Sequence, residues 1–221
     1  MSGRVRLGIV AVMVVATLSL AVSGFAGAAT SSGNILPKVT NSKPVTGGTL
    51  KIVGNGDVDH LDTCCAYYTT TYEMLRMVSR QLLSYKAGYT AKDEGTPVPD
   101  LASSYTVSSN GLTYTFHIRQ GVDWDTPTGP RQVTSQDEVR GIMRLCNPIN
   151  GAPPIAYWTG NIAGMASYCT AFEAITVPTS AADQVTALNN FYNTHTISGL
   201  STPNSSTIVF KLLHPSSDFL N

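Results

Sequence analysis

The residues of this 221-residue chain whose types could do chemistry are four cysteines, four histidines and a close run of aspartates. Asp57, Asp59 and Asp62 follow one another in Asp-Val-Asp-His-Leu-Asp, a spacing close to that of a calcium loop. Such a loop needs glycine at its sixth position and a carboxylate at its twelfth, and here those positions are Asp62 and Tyr68, so calcium is not expected. Cys64, Cys65, Cys146 and Cys169 form no Cys-x-x-Cys and have no histidine at ligand spacing, which argues against zinc. His60, His117, His195 and His214 fall in different segments. There is no Gly-x-Ser-x-Gly elbow, no His-Glu-x-x-His and no Gly-x-x-x-x-Gly-Lys. No motif recommends an enzyme, and no cofactor is implied. Asp123 and Asp125 flank Trp124, where the carboxylates read as solvated and the indole as either a packing or a ligand-facing aromatic.

Composition narrows the classes further. An apolar content of 43% with 13% charged residues is ample for a buried core. Arg4 and Arg6 precede the uncharged run Leu7 to Val22, and Ala26-Gly27-Ala28-Ala29 follows, which is the pattern of an export signal over residues 1–29. At 16 residues the run is shorter than the roughly 20 a bilayer core requires, so cleavage is favoured over a permanent anchor. Taking Arg4 and Arg6 from the 14 basic residues leaves 12 against 14 acidic ones, no footprint for nucleic acid. In an exported chain cysteines are more often oxidised than free. Three connectivities are possible if all four pair. The favoured link is Cys146 to Cys169, which ties the end of one helix to the next and is worth about 3 kcal/mol by loop closure. Adjacent Cys64 and Cys65 can bridge each other only across a strained peptide, so the expectation is an outside partner for one or two free thiols.

The elements that must position these residues follow from periodicity. Residues 30–46 are rich in Ser, Thr, Asn and Pro and read as a flexible leader. Gly47 to Val53 reads as a first strand. Leu75, Val78 and Leu82 stand at helical spacing, which predicts a helix over Thr70 to Leu83 with a Thr70/Glu73 capping box. Residues 86–98 read as a polar loop. Leu112, Tyr114, Phe116 and Ile118 alternate with polar residues, Tyr105 and Val107 repeat the alternation upstream, and Asn110-Gly111 supplies the turn, so this is a β-hairpin. Ser135 and Glu138 predict a second capping box for a helix ending by about Asn147, before Pro148. Residues 147–161 read as loop, Ile162 to Ile175 and Ala181 to Tyr192 as helices, the latter capped by Ser180. Ile197 to Leu200 and Thr207 to Leu213 read as a closing strand pair.

The wording of the hairpin says more than its period. Pro99-Asp100-Leu101-Ala102, then Ser109-Asn110-Gly111-Leu112-Thr113-Tyr114-Thr115-Phe116 with Ile118-Arg119 and Gly121-Val122, resembles the signature segment of the bacterial extracellular solute-binding proteins of the peptide and nickel class, receptors of ABC importers. The strand at Gly47 to Val53 and the ending Thr207 to Leu212, Pro215 and Ser217 to Leu220 resemble the same family. The turn Trp124-Asp125-Thr126-Pro127-Thr128-Gly129-Pro130-Arg131 is longer and richer in proline than the family's.

The resemblance implies an α/β (mixed α+β) fold, a class II periplasmic-binding-protein-like lobe over residues 47–221, incomplete because such receptors are roughly twice as long or more. It implies capture of oligopeptides by closure of two lobes, delivery to ABC permease subunits, a monomer, and no covalent chemistry. His60-Leu61-Asp62-Thr63 corresponds to a segment entering the cleft. Tyr67 and Tyr68 just beyond it are either ligand-facing aromatics or packed between strand and helix, and with Asp62, Trp124 and Trp158 they make up the candidate ligand-binding residues. Val22-Ser23-Gly24-Phe25 is similar to a lipoprotein processing site with Phe25 in place of the acceptor cysteine, which leaves a secreted or periplasmic location without a lipid anchor. The alternatives are nickel chelates, sugars or haem as cargo, or a secreted sensory or adhesive receptor with no transporter.

Overall fold

The computed structural model describes residues 46–49, 51, 53–54, 56–86, 90–150 and 155–221. The export signal, the leader through residue 45, and Leu50 and Ile52 of the expected first strand lie outside the described residues. The described residues among 47–53 are not in a strand. The chain divides after Lys51, and everything below concerns the unit that begins at Ile52.

In chain order the described elements are α1 (Thr69–Val78), β1 (Leu83–Tyr85), α2 (Ala91–Gly95), β2 (Pro97–Pro99), β3 (Ala102–Val107), β4 (Thr113–Ile118), β5 (Asp123–Trp124), β6 (Arg131–Gln132), α3 (Ser135–Arg144), α4 (Ile155–Asn161), α5 (Met165–Glu173), α6 (Ala181–Thr194), β7 (Leu200–Asn204) and β8 (Thr207–Lys211). β3, β4, β8 and β7 form one antiparallel sheet in that order, β1 pairs with β2, and β5 with β6.

The hairpin alternation becomes the faces of β4. Tyr114, Phe116 and Ile118 are buried while His117 is exposed. Register sets Phe116 opposite Ile208 and Tyr114 opposite Phe210, and the Phe116 and Phe210 rings meet edge to face at 5.6 Å. Gly111 takes φ +68°, and Asn110 Oδ1 accepts from the Leu112 N–H at 3.1 Å. α5 and α6 pack through Phe172 and Phe191, stacked at 4.2 Å, with Tyr168 at 5.3 Å from Phe191, and these rings belong to the same buried core as the sheet residues. Cys146, at the end of α3, is bonded to Cys169 in α5, with Cα atoms 4.8 Å apart.

Gly199 sits where three segments meet. Its N–H donates to Ala163 O and its carbonyl accepts from the Lys211 N–H, both at 2.7 Å, while the Ala163 N–H reaches Lys211 O at 3.0 Å. A Cβ here would lie 2.5 Å from Ala163 O and 2.8 Å from Lys211 O, both backbone atoms. Only glycine permits this approach.

Several local expectations are corrected. The helix expected from Ile162 starts at Met165, Ile162 instead bridging Leu212, and the strand expected over Ile197 to Leu200 runs Leu200–Asn204. α1 stops at Val78 instead of Leu83, because the Gln81 and Leu82 carbonyls accept from the Leu101, Asp100 and Ala102 N–H groups, drawing that stretch into extended pairing. Residues 86–98 hold α2 and β2 instead of only loop, α2 being capped by Thr90. α4 occupies part of the expected loop 147–161, and Ile155 and Trp158 share a face packed against the core. α3 is capped by Thr134 instead of Ser135: its N–H and hydroxyl donate to Asp137 Oδ2 at 2.8 and 2.9 Å, and Arg131 grips the same carboxylate at 2.9 and 3.0 Å. Ser135 is freed to donate to Asn204 O at 2.6 Å, tying α3 to β7. The N-cap of α6 lies where the sequence reading set it, with Ser180 Oγ accepting from the Asp183 N–H at 3.2 Å, while the helix runs on past the expected Tyr192 to Thr194.

Candidate functional site

The approach to α1 is organised by a single carboxylate. Asp59 Oδ2 accepts from the Tyr67 and Tyr68 N–H groups at 2.7 and 3.1 Å, and Oδ1 from the His60 N–H at 2.9 Å. The buried Thr71 hydroxyl also donates to Oδ1 and accepts from the Asp59 N–H at 3.0 Å. Partial burial disfavours the charge on Asp59, but these donors outweigh it and hold the carboxyl well below the usual carboxylate range. Tyr68 is the N-cap residue of α1, so Asp59 holds the N-cap amide and the amide before it from nine and eight residues upstream, while among the described residues no side chain caps the helix's own first-turn amides.

This anchoring leaves the two tyrosine rings outside. Tyr67 and Tyr68 are 57% and 58% exposed and, with Gly56, Asp57, Thr69 and Thr70, line an open hollow of about 410 Å³. Tyr72, one turn along α1, donates from its hydroxyl to Ala66 O at 2.9 Å, bracing the backbone under the pair. Two exposed phenols over a rigid turn offer ring faces and hydroxyls to a ligand.

The next segment is pinned to α3. Asp62 pairs with Arg144 and accepts from the Cys64 N–H at 3.0 Å. Cys64 Sγ lies 3.1 Å from Arg144 O, and burial together with neighbouring Cys65 pushes its thiol up to about 12. Of the five residues singled out in the sequence, the structure sets Tyr67 and Tyr68 side by side on the open hollow, while Asp62, a few residues upstream, is committed to Arg144. Trp124 lies on β5, 43% exposed, paired across to Arg131. Trp158 lies on α4 against the core, edge to face with Tyr157 at 6.0 Å. Among the described residues no hydrogen bond, ion pair or ring contact joins either tryptophan to the Asp59 turn.

Asp59 itself was read in the sequence only as part of a failed calcium pattern. A carboxylate eight or nine residues ahead of the amides it binds leaves no local signature. Asp57, Asp59 and Asp62 do not converge: Asp57 accepts from the adjacent Val58 N–H at 2.8 Å, and the other two face Thr71 and Arg144. Hydroxyls meet imidazoles at Thr194 and His195, 2.9 Å, and at Thr207 and His117, 3.4 Å. Among the described residues neither ring has a carboxylate behind it, and the His195 ring is stacked on Phe191 at 3.9 Å.

Residues 96–221, more than half of the chain, match the model of the bacterial extracellular solute-binding proteins, family 5 Middle. The chain belongs to that family. The family is one of binding proteins. Its curated relatives include the oligopeptide-binding protein AmiA of Streptococcus pneumoniae, 33% identical over 102 residues, which are 44% of this chain and 15% of AmiA. A probable di/tripeptide-binding protein of Pseudomonas aeruginosa is 33% identical over 85 residues, 37% of this chain and 15% of that protein. The matches thus span about 15% of those relatives' length. Among solved structures, clavulanic acid biosynthesis oligopeptide binding protein 2 superposes with a TM-score of 0.56 at 28% identity, covering 78% of this chain and 28% of that one. An oligopeptide-binding protein of Borrelia burgdorferi gives 0.55 at 19% identity, over 73% and 27%, a likeness of fold alone. The mixed α/β architecture of the family 5 lobe is thereby established for this chain, and among the described residues no helix is long and apolar enough to cross a membrane.

Proposed function

We propose that this chain captures oligopeptides outside the cytoplasm and presents them to the permease of an ABC importer. The observation that carries the reading is the family match over residues 96–221, supported by relatives whose names are those of oligopeptide-binding and di/tripeptide-binding proteins. In this reading residues 47–221 contribute one wall of the cleft, and Tyr67 and Tyr68, held by Asp59, face the ligand. Asp62 keeps the segment in place through Arg144, while Trp158 packs against the core and Trp124 stands part-exposed on β5 with, among the described residues, no hydrogen bond or ring contact to the Asp59 turn. Peptide backbones would be held by strand-like hydrogen bonds and their side chains by tolerant aromatic surfaces, with no bond made or broken. Export by the segment 1–29, release without a lipid and action as a monomer complete the proposal.

The test is uptake. Host cells lacking the gene should lose import of a labelled tetrapeptide and regain it with the restored gene. A Tyr67→Ala/Tyr68→Ala double variant, secreted at the normal level, should restore it poorly. Unchanged tetrapeptide import in the deletion strain, together with lost import of a nickel chelate, a sugar or haem, would assign another cargo.

A further inference from the structure

Both thiols of the adjacent pair point at the same atom. Cys65 Sγ lies 3.2 Å from Asn150 O, and Cys64 Sγ lies 3.6 Å from that oxygen and 3.1 Å from Arg144 O. The two sulfurs are therefore gathered on one side of the turn, one buried and the other part-exposed. The remaining cysteines, 146 and 169, are already joined, so conditions that make that bond act on this pair as well.

We propose that Cys64 and Cys65 form a reversible oxidation site that closes to a vicinal disulfide by exchange with a small disulfide such as oxidised glutathione. Cys65, the accessible thiol, loses its proton to solvent and attacks one sulfur of the small disulfide, forming a mixed disulfide and releasing one thiolate, which takes up a proton. Cys64 then gives up its proton and attacks Cys65 Sγ, and the second small thiol leaves. Two protein thiols and one small disulfide become one protein disulfide and two small thiols.

Consecutive Cα atoms are about 3.8 Å apart, closer than the roughly 4.4–6.8 Å that disulfides prefer, so this bond is strained and easily reopened. Closing it draws both sulfurs from the carbonyls of Arg144 and Asn150, contacts that help hold the turn before Tyr67 against α3 and the segment after it. Strained bonds of this kind are the labile ones.

The experiment needs only the intact chain and does not depend on which ligand it carries. The protein is incubated with oxidised glutathione, alkylated and digested with trypsin, and the peptide from residue 52 to Arg76, which holds both cysteines, is weighed. The expected peptide is lighter than the reduced form by about 2 Da, carries no alkyl group or glutathione, and recovers both alkylation sites under mild dithiothreitol while Cys146 and Cys169 stay blocked. A Cys64→Ser variant should stop at a glutathione adduct on Cys65. Two cysteines that remain alkylatable, a lasting adduct on the unsubstituted protein, a link to Cys146 or Cys169, or no adduct in Cys64→Ser would each overturn the proposal.

Discussion

The Thr71 hydroxyl and Asp59 are bound to each other twice: the hydroxyl donates to the carboxylate and accepts from the Asp59 N–H at 3.0 Å. Thr71→Val keeps the shape and removes both bonds, leaving the part-buried Asp59 N–H without its partner, and should cost about 1 kcal/mol. Hydrogen exchange at Tyr67 and Tyr68 should speed up in this variant ahead of the sheet amides. Because the Asp59 carboxyl titrates below its unfolded value, its contribution is present above the ordinary carboxylate range and is lost as pH falls through the lower folded value. Asp59→Asn should abolish that acid dependence.

Glu138 carries the opposite sign. Burial first, and then the neighbouring Asp137 charge, raise its carboxyl from 4.5 to about 7. Stability should therefore decline as pH rises from about 4.5 to 7 and level off above, by on the order of 2–3 kcal/mol. In Glu138→Gln, denaturant melts across that window should lose this decline, leaving the variant more stable than the parent at pH 7.

At the junction of Ala163, Gly199 and Lys211 the obstacle to a side chain is backbone. Gly199→Ala should destabilise by about 2–3 kcal/mol, a fall of roughly 5–10 °C in Tm. Thermal unfolding followed by circular dichroism reads this directly.

Cys146→Ser removes a link between positions 23 apart in sequence. Loss of the loop constraint should cost about 3 kcal/mol, and reduction of the parent should reproduce the loss. Chemical unfolding with and without reductant makes the comparison.

How legible the molecule was in its sequence depended on how local each cause is. Tyr114, Phe116 and Ile118 declare a strand by alternation alone, and Ser180 with Asp183 declares a helix start within four residues. The caps of α1 and α3 were misread for different reasons: α1 already starts at Thr69, with the N–H of its N-cap residue Tyr68 held by distant Asp59, and the Arg131–Asp137 pair selects Thr134 over Ser135 at the start of α3. α4 was hidden by the prolines that precede it, and the end of α1 by carbonyls that pair with residues some twenty positions on. The candidate site was half visible. Tyr67 and Tyr68 could be named through family resemblance, whereas the carboxylate that holds them could not.

The central claim, peptide capture at the Asp59 turn, is tested most directly by photo-crosslinking in the host. Cells are given a tetrapeptide bearing a photoreactive side chain, irradiated, and the chain is recovered and digested. The account predicts label on the peptide ending at Arg76, at Tyr67 or Tyr68, suppressed by excess unlabelled tetrapeptide but not by haemin or a sugar. Continued uptake of the tetrapeptide with no competable label on this chain, or with label confined to Trp124 or Trp158, would contradict it.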